Sequence, residues 1–113
     1  MKDKLLADLK DPKGKLICID LDGTLTTGEC WSLNDVSLPV QPMIDYVNRL
    51  YCKGGHIIIW TARPSEFFQM THAWLVKHSV SYHGIAMKYK PNADIYIDNK
   101  ALNVEDILLT DTN

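Results

Sequence analysis

Several signals that commonly direct the interpretation of a sequence are scarce here. The three cysteines, Cys18, Cys30 and Cys52, lie far apart and form no CxxC pair, which argues against a disulfide framework and a zinc site. The four histidines show no HxxxH spacing that would bind zinc. No apolar run approaches the roughly 20 residues that a membrane-spanning helix needs, and no secretory signal is expected. We therefore expect a cytoplasmic protein with free thiols and no membrane association.

An excess of charge of one sign is missing as well. Lysine and arginine number 12 and aspartate and glutamate number 14, so the formal net charge is −2. Such a balance provides no global basic field for nucleic acid or anionic membranes. Repeats, low-complexity segments and linkers are also absent. With 113 residues, of which 46% are hydrophobic, the chain is predicted to form a single domain over residues 1–113 with its own core.

Short apolar runs alternate with segments of helical periodicity along the chain. Strands are predicted at the apolar runs 16–19, 56–60, 85–87 and 95–97. Helices are predicted at residues 3–10, between Pro42 and Gly54, from Ser65 as the N-cap to about His78, and for a last turn at 103–108. This order, with its short connections, predicts an α/β fold: a three-layer, Rossmann-like parallel sheet with flanking helices.

Polar residues directly follow three of the predicted strands. Asp20, Thr61 and Asp98 each lie at the carboxyl end of a strand, where ligands of parallel α/β sheets bind. Lys88 and Lys90 follow the third strand into the same region, and either could offset negative charge there. These residues are distant in sequence, and the predicted fold gathers them into one polar cluster.

The sequence DLDGT at residues 20–24 suggests the chemistry of this cluster. Two carboxylates this close repel each other unless a cation or a shared proton intervenes. A hard, oxygen-seeking Mg²⁺ held by Asp20, Asp22 and Asp98 would relieve that repulsion. With its charge neutralised, Asp20 could attack a phosphoryl group in line as a nucleophile. Asp22 could give a proton to the leaving-group oxygen and later accept one from the attacking water.

The remaining candidates are predicted to contact the phosphorylated substrate. Gly23 allows a tight turn, and Gly23 and Thr24 belong to a segment whose exposed N–H groups could hold phosphate oxygens. The hydroxyl of Thr61 could donate a hydrogen bond to a phosphoryl oxygen in the transition state. Arg63 either contacts the substrate or lies on the surface, and the sequence does not separate the two.

Together these residues resemble the motifs of the haloacid dehalogenase-like phosphatase superfamily. The first to fourth motifs correspond in order to residues 20–24, to Thr61, to Lys90 (or Lys88), and to Asp94 with Asp98. By this resemblance Asp20 is the nucleophile, Asp22 the general acid and base, and Asp98 a Mg²⁺ ligand. The acidic residue at position 22 favours phosphate chemistry over dehalogenation in this superfamily. Asn99 departs from the second aspartate that many relatives carry there.

The resemblance also carries expectations about the substrate. Residues 74–82 and 96–101 are similar to small phosphatases of capsule or polysaccharide biosynthesis, which implies a sugar phosphate. Residues 70–74 are similar to the phosphatase half of polynucleotide kinase-phosphatases, so a nucleotide or nucleic-acid end is an alternative substrate. An alternative to an enzyme is a non-catalytic domain of this fold that binds phosphate or a partner. Little of the chain is free to form a cap domain, and an open site suits a macromolecule or a small substrate enclosed by a second subunit of a homo-oligomer.

Overall fold

The computed structural model describes residues 8–28 and 37–98 of the chain. Residues 8–10 are helical; the rest of the predicted opening helix and the predicted turn at 103–108 lie outside the described residues. The further elements are β1 (Leu16–Asp20), α1 (Gln41–Cys52), β2 (His56–Thr61), a 3₁₀ helix (Ser65–Phe67), α2 (Phe68–Lys77), β3 (Gly84–Met87) and β4 (Ile95–Ile97). The predicted alternation of strands and helices is therefore confirmed in these ranges.

The four strands run parallel in one sheet with the order β3–β2–β1–β4. The predicted fold class is confirmed: a Rossmann-like α/β arrangement of a parallel sheet with flanking helices. Isoleucine is abundant in β1, β2 and β4, and its branched side chain suits a buried parallel strand. Ile19 of β1 lies in register with Ile59 of β2 and with Ile97 of β4. The carboxyl ends of these strands therefore meet at one edge of the sheet.

Both α1 and α2 pack on the same face of the sheet. The connections from β1 to β2 and from β2 to β3 move in one direction across the sheet, and right-handed crossovers place both helices on one side. The core cluster includes these fully buried strand residues: Ile17, Ile19, Ile57, Ile59, Ile95 and Ile97. The helices contribute Met43, Ile44, Val47, Leu50, Trp74 and Leu75 to the same cluster. Burial of this apolar surface is the main stabilising contribution to the fold.

The helix ends follow from local chemistry, with one departure from the prediction. Pro42 lies in the first turn of α1, where a missing N–H costs nothing. After α1 the chain turns so tightly that a Cβ atom at Gly55 would lie 2.9 Å from the Leu50 carbonyl oxygen. The predicted Ser65 cap is wrong, because Ser65 begins the 3₁₀ helix and no side chain caps it. The buried residues of α2 are Thr71, Trp74 and Leu75. Within the described ranges, no helix has the length and apolarity to cross a bilayer.

The opposite face of the sheet carries the side chains of Cys18, Trp60 and Tyr96. The connection from β3 to β4 has no helix in residues 88–94 and returns the chain to the start of β4. There the Asp94 N–H donates to the Leu16 carbonyl at 2.9 Å, and the Leu16 N–H donates to the Asp94 carboxylate at 2.8 Å. This short connection leaves Trp60 and Tyr96 partly exposed on that face.

A stack of aromatic rings supports the amino-terminal edge of the sheet and gives a first prediction. The His83 ring lies 3.9 Å from the His56 ring and 4.6 Å from the Tyr51 ring, between centroids. Its Nδ1 accepts a hydrogen bond from the Ile57 N–H at 3.0 Å. We expect His83→Ala to lower the free energy of unfolding by about 1 kcal/mol, because one backbone donor loses its acceptor. Urea unfolding measures this effect.

The matched control is His72→Ala, which also removes one hydrogen bond, here between Nδ1 and the Tyr82 hydroxyl at 2.7 Å. Both groups of that pair are solvent-accessible, so water replaces the bond and the expected loss is below about 0.5 kcal/mol. Equal losses for the two variants would contradict a supporting role for His83.

Candidate active site

Asp20 and Asp98 come to one pocket because their strands are neighbours. Asp20 is the last residue of β1, and Asp98 directly follows β4, the strand that pairs with β1. Both side chains line an open pocket of about 410 Å³. The full lining comprises Cys18, Asp20, Asp22, Trp60, Ala62, Arg63, Lys90, Tyr96, Ile97 and Asp98. The predicted convergence of strand-end residues therefore occurs for Asp20 and Asp98.

The carboxyl group of Asp20 is strongly perturbed by its surroundings. Burial, followed by the nearby Asp98 and Asp22 carboxylates, raises its pKa from 3.8 to about 6, although Lys90 acts in the opposite direction. Asp98 and Asp22 therefore repel the charged form of Asp20, while Arg63 and Lys90 supply the positive charge among the residues that line the pocket. A carboxylate under such repulsion is stabilised by any cation that approaches it.

Asp22 is held by a buried arginine. The Arg63 side chain is 1% exposed, and it donates from Nε to Oδ2 of Asp22 at 2.9 Å and from Nη2 to Oδ1 at 2.8 Å. Its Nη1 also donates to the Thr71 hydroxyl on α2 at 3.0 Å. This two-point pairing fixes the plane of the Asp22 carboxylate. The surface alternative for Arg63 is therefore wrong.

The carboxylate of Asp22 does not join Asp20 and Asp98 as a third metal ligand in this structure. Both of its oxygens accept hydrogen bonds from Arg63, and no group of three histidine, cysteine, aspartate or glutamate side chains in residues 8–28 and 37–98 is placed to hold a metal ion. The sequence showed the spacing of Asp20 and Asp22, but it did not predict that Arg63 would form an ion pair with Asp22. The predicted set of three carboxylate ligands is therefore not assembled in the described residues.

Thr61 also forms a hydrogen bond with Asp22. It is 1% exposed, and its hydroxyl donates to Oδ2 of Asp22 at 3.3 Å. The same hydroxyl accepts a hydrogen bond from the Arg63 N–H at 3.2 Å. Thr61 does not line the pocket, so the structure gives it a part in orienting Asp22 rather than the predicted direct contact with phosphate.

The two candidate lysines have different positions. Lys90 lines the pocket, and its Nζ lies 3.4 Å from Oδ2 of Asp98. Lys88 has a positive φ of 73° and points its Nζ toward the Tyr89 ring at 5.6 Å. Its backbone N–H donates to the Thr61 carbonyl. The structure therefore separates them: Lys90 faces the pocket, and Lys88 is not among its lining residues.

The turn after β1 is tied together internally. Gly23 has a φ of 88°, and its N–H donates to the Thr26 carbonyl at 3.0 Å. Thr24 is fully buried, and its hydroxyl has no hydrogen-bond partner in the described part of the chain. The N–H groups of Leu21 and Thr24 also have acceptors within the protein. The predicted phosphate contacts of Gly23 and Thr24 are not placed at the pocket, and both residues instead shape the turn that presents Asp22.

Five pocket residues were not predicted from the sequence: Cys18, Trp60, Ala62, Tyr96 and Ile97. Cys18 and Tyr96 lie in strands two residues before Asp20 and Asp98, so strand alternation was the signal that could have found these two. Burial raises the pKa of the Cys18 thiol to about 11. Cys18 therefore remains protonated near neutral pH and is a poor nucleophile.

Two further residues lie in the region of the predicted fourth motif. Asp94 accepts a hydrogen bond from the Leu16 N–H at the far end of β4 and does not line the pocket, and Asn99 lies outside the described residues.

No protein-family model and no curated protein matches the chain, but solved structures of similar fold exist. An MCSG target from Vibrio cholerae is 28% identical, with a TM-score of 0.63 over 83% of this chain and 87% of that one. A conserved protein from Bacteroides thetaiotaomicron is 15% identical, with a TM-score of 0.65 over 88% and 92% of the two chains.

A third similar structure belongs to a larger chain. It is part of the Pnkp1/Rnl/Hen1 complex, is 21% identical and has a TM-score of 0.59 over 71% of this chain. The match covers only 31% of that chain. At these identities the second and third likenesses show the fold alone. Together the three structures are compatible with a fold of the haloacid dehalogenase-like phosphatase kind.

Proposed function

We propose that this protein is a Mg²⁺-dependent phosphomonoesterase that forms an aspartyl-phosphate at Asp20. The observation that carries the proposal is the pair of carboxylates, Asp20 and Asp98, at adjacent strand ends in one pocket with Lys90. Asp22 lies beside them, oriented by a buried arginine. Candidates for a nucleophile, a second acid and a cation for phosphate thus lie within one site of a fold that suits phosphatase chemistry.

The two remaining carboxylates fit a magnesium ion. Asp20 and Asp98 repel each other strongly enough to help raise the pKa of Asp20. Mg²⁺ typically binds through one or two carboxylates and keeps waters or substrate phosphate oxygens in its other positions. Asp20 and Asp98 would hold it, and when bound it would neutralise charge between the nucleophile and an anionic phosphoryl group.

The chain's own residues can carry out two successive displacements. In the first, an oxygen of Asp20 bonds to phosphorus and the bond to the leaving oxygen breaks; Asp22, which takes up a proton from solvent before this step, gives that proton to the leaving oxygen. In the second, Asp22 takes a proton from water, the water oxygen bonds to phosphorus, and the Asp20–phosphorus bond breaks to release phosphate. Lys90 offsets phosphate charge throughout, while Arg63 and Thr61 hold Asp22 in place.

The first substrate class that we propose is a sugar phosphate, and the second is a phosphorylated nucleotide or nucleic-acid end. The first follows the sequence resemblance to phosphatases of polysaccharide biosynthesis. The second is supported by the resemblance of residues 70–74 to polynucleotide kinase-phosphatases and by the likeness to a chain of the Pnkp1/Rnl/Hen1 complex. Formed by the described residues alone, the pocket is partly open, and this suits either a small substrate or a strand end.

Phosphate release from a panel of sugar phosphates, nucleotides and 3′- or 5′-phosphorylated oligonucleotides tests this proposal. With Mg²⁺ we expect turnover of at least one class; EDTA should reduce it at least about 10²-fold, because Asp20 then remains repelled by its neighbours and by substrate. Adding Mg²⁺ in excess should restore the rate. Turnover that persists in EDTA would contradict the metal requirement. Silence across the panel, from folded protein that still binds Mg²⁺, would favour a non-catalytic phosphate-binding domain.

A further inference from the structure

The side chain of Tyr96 fastens the segment that carries Lys90. Tyr96 lies on β4, two residues before Asp98. Its hydroxyl donates to the Pro91 carbonyl at 2.8 Å and accepts from the Ala93 N–H at 2.8 Å. Both partners belong to the connection from β3 to β4, which has no regular secondary structure in residues 88–94. One hydroxyl thus clamps the three residues that follow Lys90.

The ring of the same tyrosine holds the lysine itself. The Nζ atom of Lys90 lies 4.8 Å from the centroid of the Tyr96 ring, a distance typical of a cation–π contact. The same Nζ atom lies 3.4 Å from the Asp98 carboxylate. The Lys90 side chain is 47% exposed, so packing restrains it weakly. The ring and the carboxylate therefore define where its ammonium group points.

We propose that Tyr96 is a positioning residue that fixes Lys90 toward the phosphoryl site, with its hydroxyl holding the segment and its ring holding the ammonium group. This inference rests on the proposed function. A long lysine on an irregular segment samples many rotamers unless it is restrained, and a cation that is misplaced by about 1 Å loses much of its effect on a reacting group. Tyr96 touches neither the phosphoryl group nor the leaving group in this role.

Two substitutions distinguish the contribution of the Tyr96 hydroxyl from that of its ring. Tyr96→Phe keeps the ring and loses the clamp, and we expect it to raise KM about three- to ten-fold with little change in kcat. Tyr96→Leu loses both, and we expect kcat/KM to fall about 10²-fold. Tyr89→Phe is the control, because Tyr89 lies on the same segment, is 74% exposed and lines no part of the pocket. It should leave both constants unchanged.

A double-variant comparison distinguishes positioning from general support of the fold. If Tyr96 acts through Lys90, Tyr96→Leu should cost little further activity in a Lys90→Met background, because residues that act as a unit are not additive. Losses that multiply across the two sites would overturn the proposal. Thermal unfolding of every variant confirms that the compared proteins are folded.

A second measurement does not depend on catalysis. Hydrogen exchange of the Ala93 amide should be about ten-fold faster in Tyr96→Phe, because its acceptor is gone. Unchanged exchange would contradict the clamp. If the wild-type protein hydrolyses no phosphomonoester, the proposed function fails, and titration with inorganic phosphate and Mg²⁺ then decides: equal affinity in wild type and Tyr96→Leu would overturn the positioning of Lys90 as well.

Discussion

Asp20→Asn is expected to abolish phosphate release while making the metal-free protein more stable. The amide of asparagine does not form an acyl-phosphate under these conditions, so kcat should fall by at least about 10⁴-fold. Stability should change in the opposite sense. Burial and the neighbouring Asp98 and Asp22 carboxylates raise the pKa of Asp20 from 3.8 to about 6, so its charged form is disfavoured in the folded state. Asparagine removes that charge.

The sign of the pH dependence follows from the same shift. A carboxyl group whose pKa is raised on folding binds more protons in the folded than in the unfolded protein, so its contribution to stability is full below about pH 4 and is lost as the pH rises through about 6. Because Asp20 is partly exposed, solvent reduces the full linkage value, and we expect a difference of about 1 kcal/mol. In EDTA, the free energy of unfolding of Asp20→Asn should rise by this amount relative to wild type as the pH increases from 4 to 7.

Urea unfolding at several pH values, with and without Mg²⁺, measures these effects. Mg²⁺ should stabilise the wild type by mass action and should stabilise Asp20→Asn much less. The matched control is Asp94→Asn, because Asp94 accepts a hydrogen bond from the Leu16 N–H at the far end of β4 and the asparagine oxygen can also accept it. That variant should keep its activity. An active Asp20→Asn protein would refute the nucleophile assignment.

The second large effect is expected for Asp22→Asn. Arg63 is 1% exposed and forms a two-point ion pair with Asp22, which is 21% exposed. Loss of the carboxylate charge removes this ion pair from the buried guanidinium group; such a loss costs about 3–5 kcal/mol in a fully buried pair, and because Asp22 is partly exposed we expect a loss of about 2 kcal/mol of unfolding free energy. Activity should also fall about 10²- to 10⁴-fold, because the proposed proton donor is gone. Chemical denaturation and phosphate release measure the two losses separately.

A double-mutant cycle shows whether the buried cation causes the instability. Arg63→Met removes the charge and keeps an apolar stem of similar shape, so Asp22→Asn/Arg63→Met should be more stable than Asp22→Asn alone. Asp45→Asn is the matched control: Asp45 is exposed and accepts a hydrogen bond from Gln41 at 2.9 Å, and we expect a change within about 0.5 kcal/mol. If Asp22→Asn proved as mild as Asp45→Asn, the ion pair would contribute little in solution.

The sequence predicted the parts of the site that depend on local pattern. An apolar run followed by Asp20, and another followed by Asp98, defined two strand ends. The parallel topology that short connections impose then brought these ends together. The core of isoleucines and the helix over Gln41–Cys52 follow from the same periodicities. These features were predictable because alternation and helical spacing are read within a few neighbouring residues.

The partners of Asp22 were not predictable in this way. Arg63 reaches Asp22 across 41 residues of sequence, and its burial depends on Thr71 from a helix that follows it. The choice between Lys90 and Lys88 likewise depended on the Tyr96 ring and on the positive φ of Lys88. Such contacts are set by tertiary packing. Spacing along the chain carries no signal for them.

The strand order has a consequence for the time at which the site forms during synthesis. β4 pairs with β1 across about 78 residues, the longest-range connection that brings Asp98 to Asp20. A nascent chain that has left the ribosome only as far as β3 can already pair β1, β2 and β3, since those strands follow one another. It does not yet hold Asp98. Asp20, the proposed nucleophile, is therefore in place early, and its carboxylate neighbour Asp98 arrives only when β4 pairs with the other edge of β1.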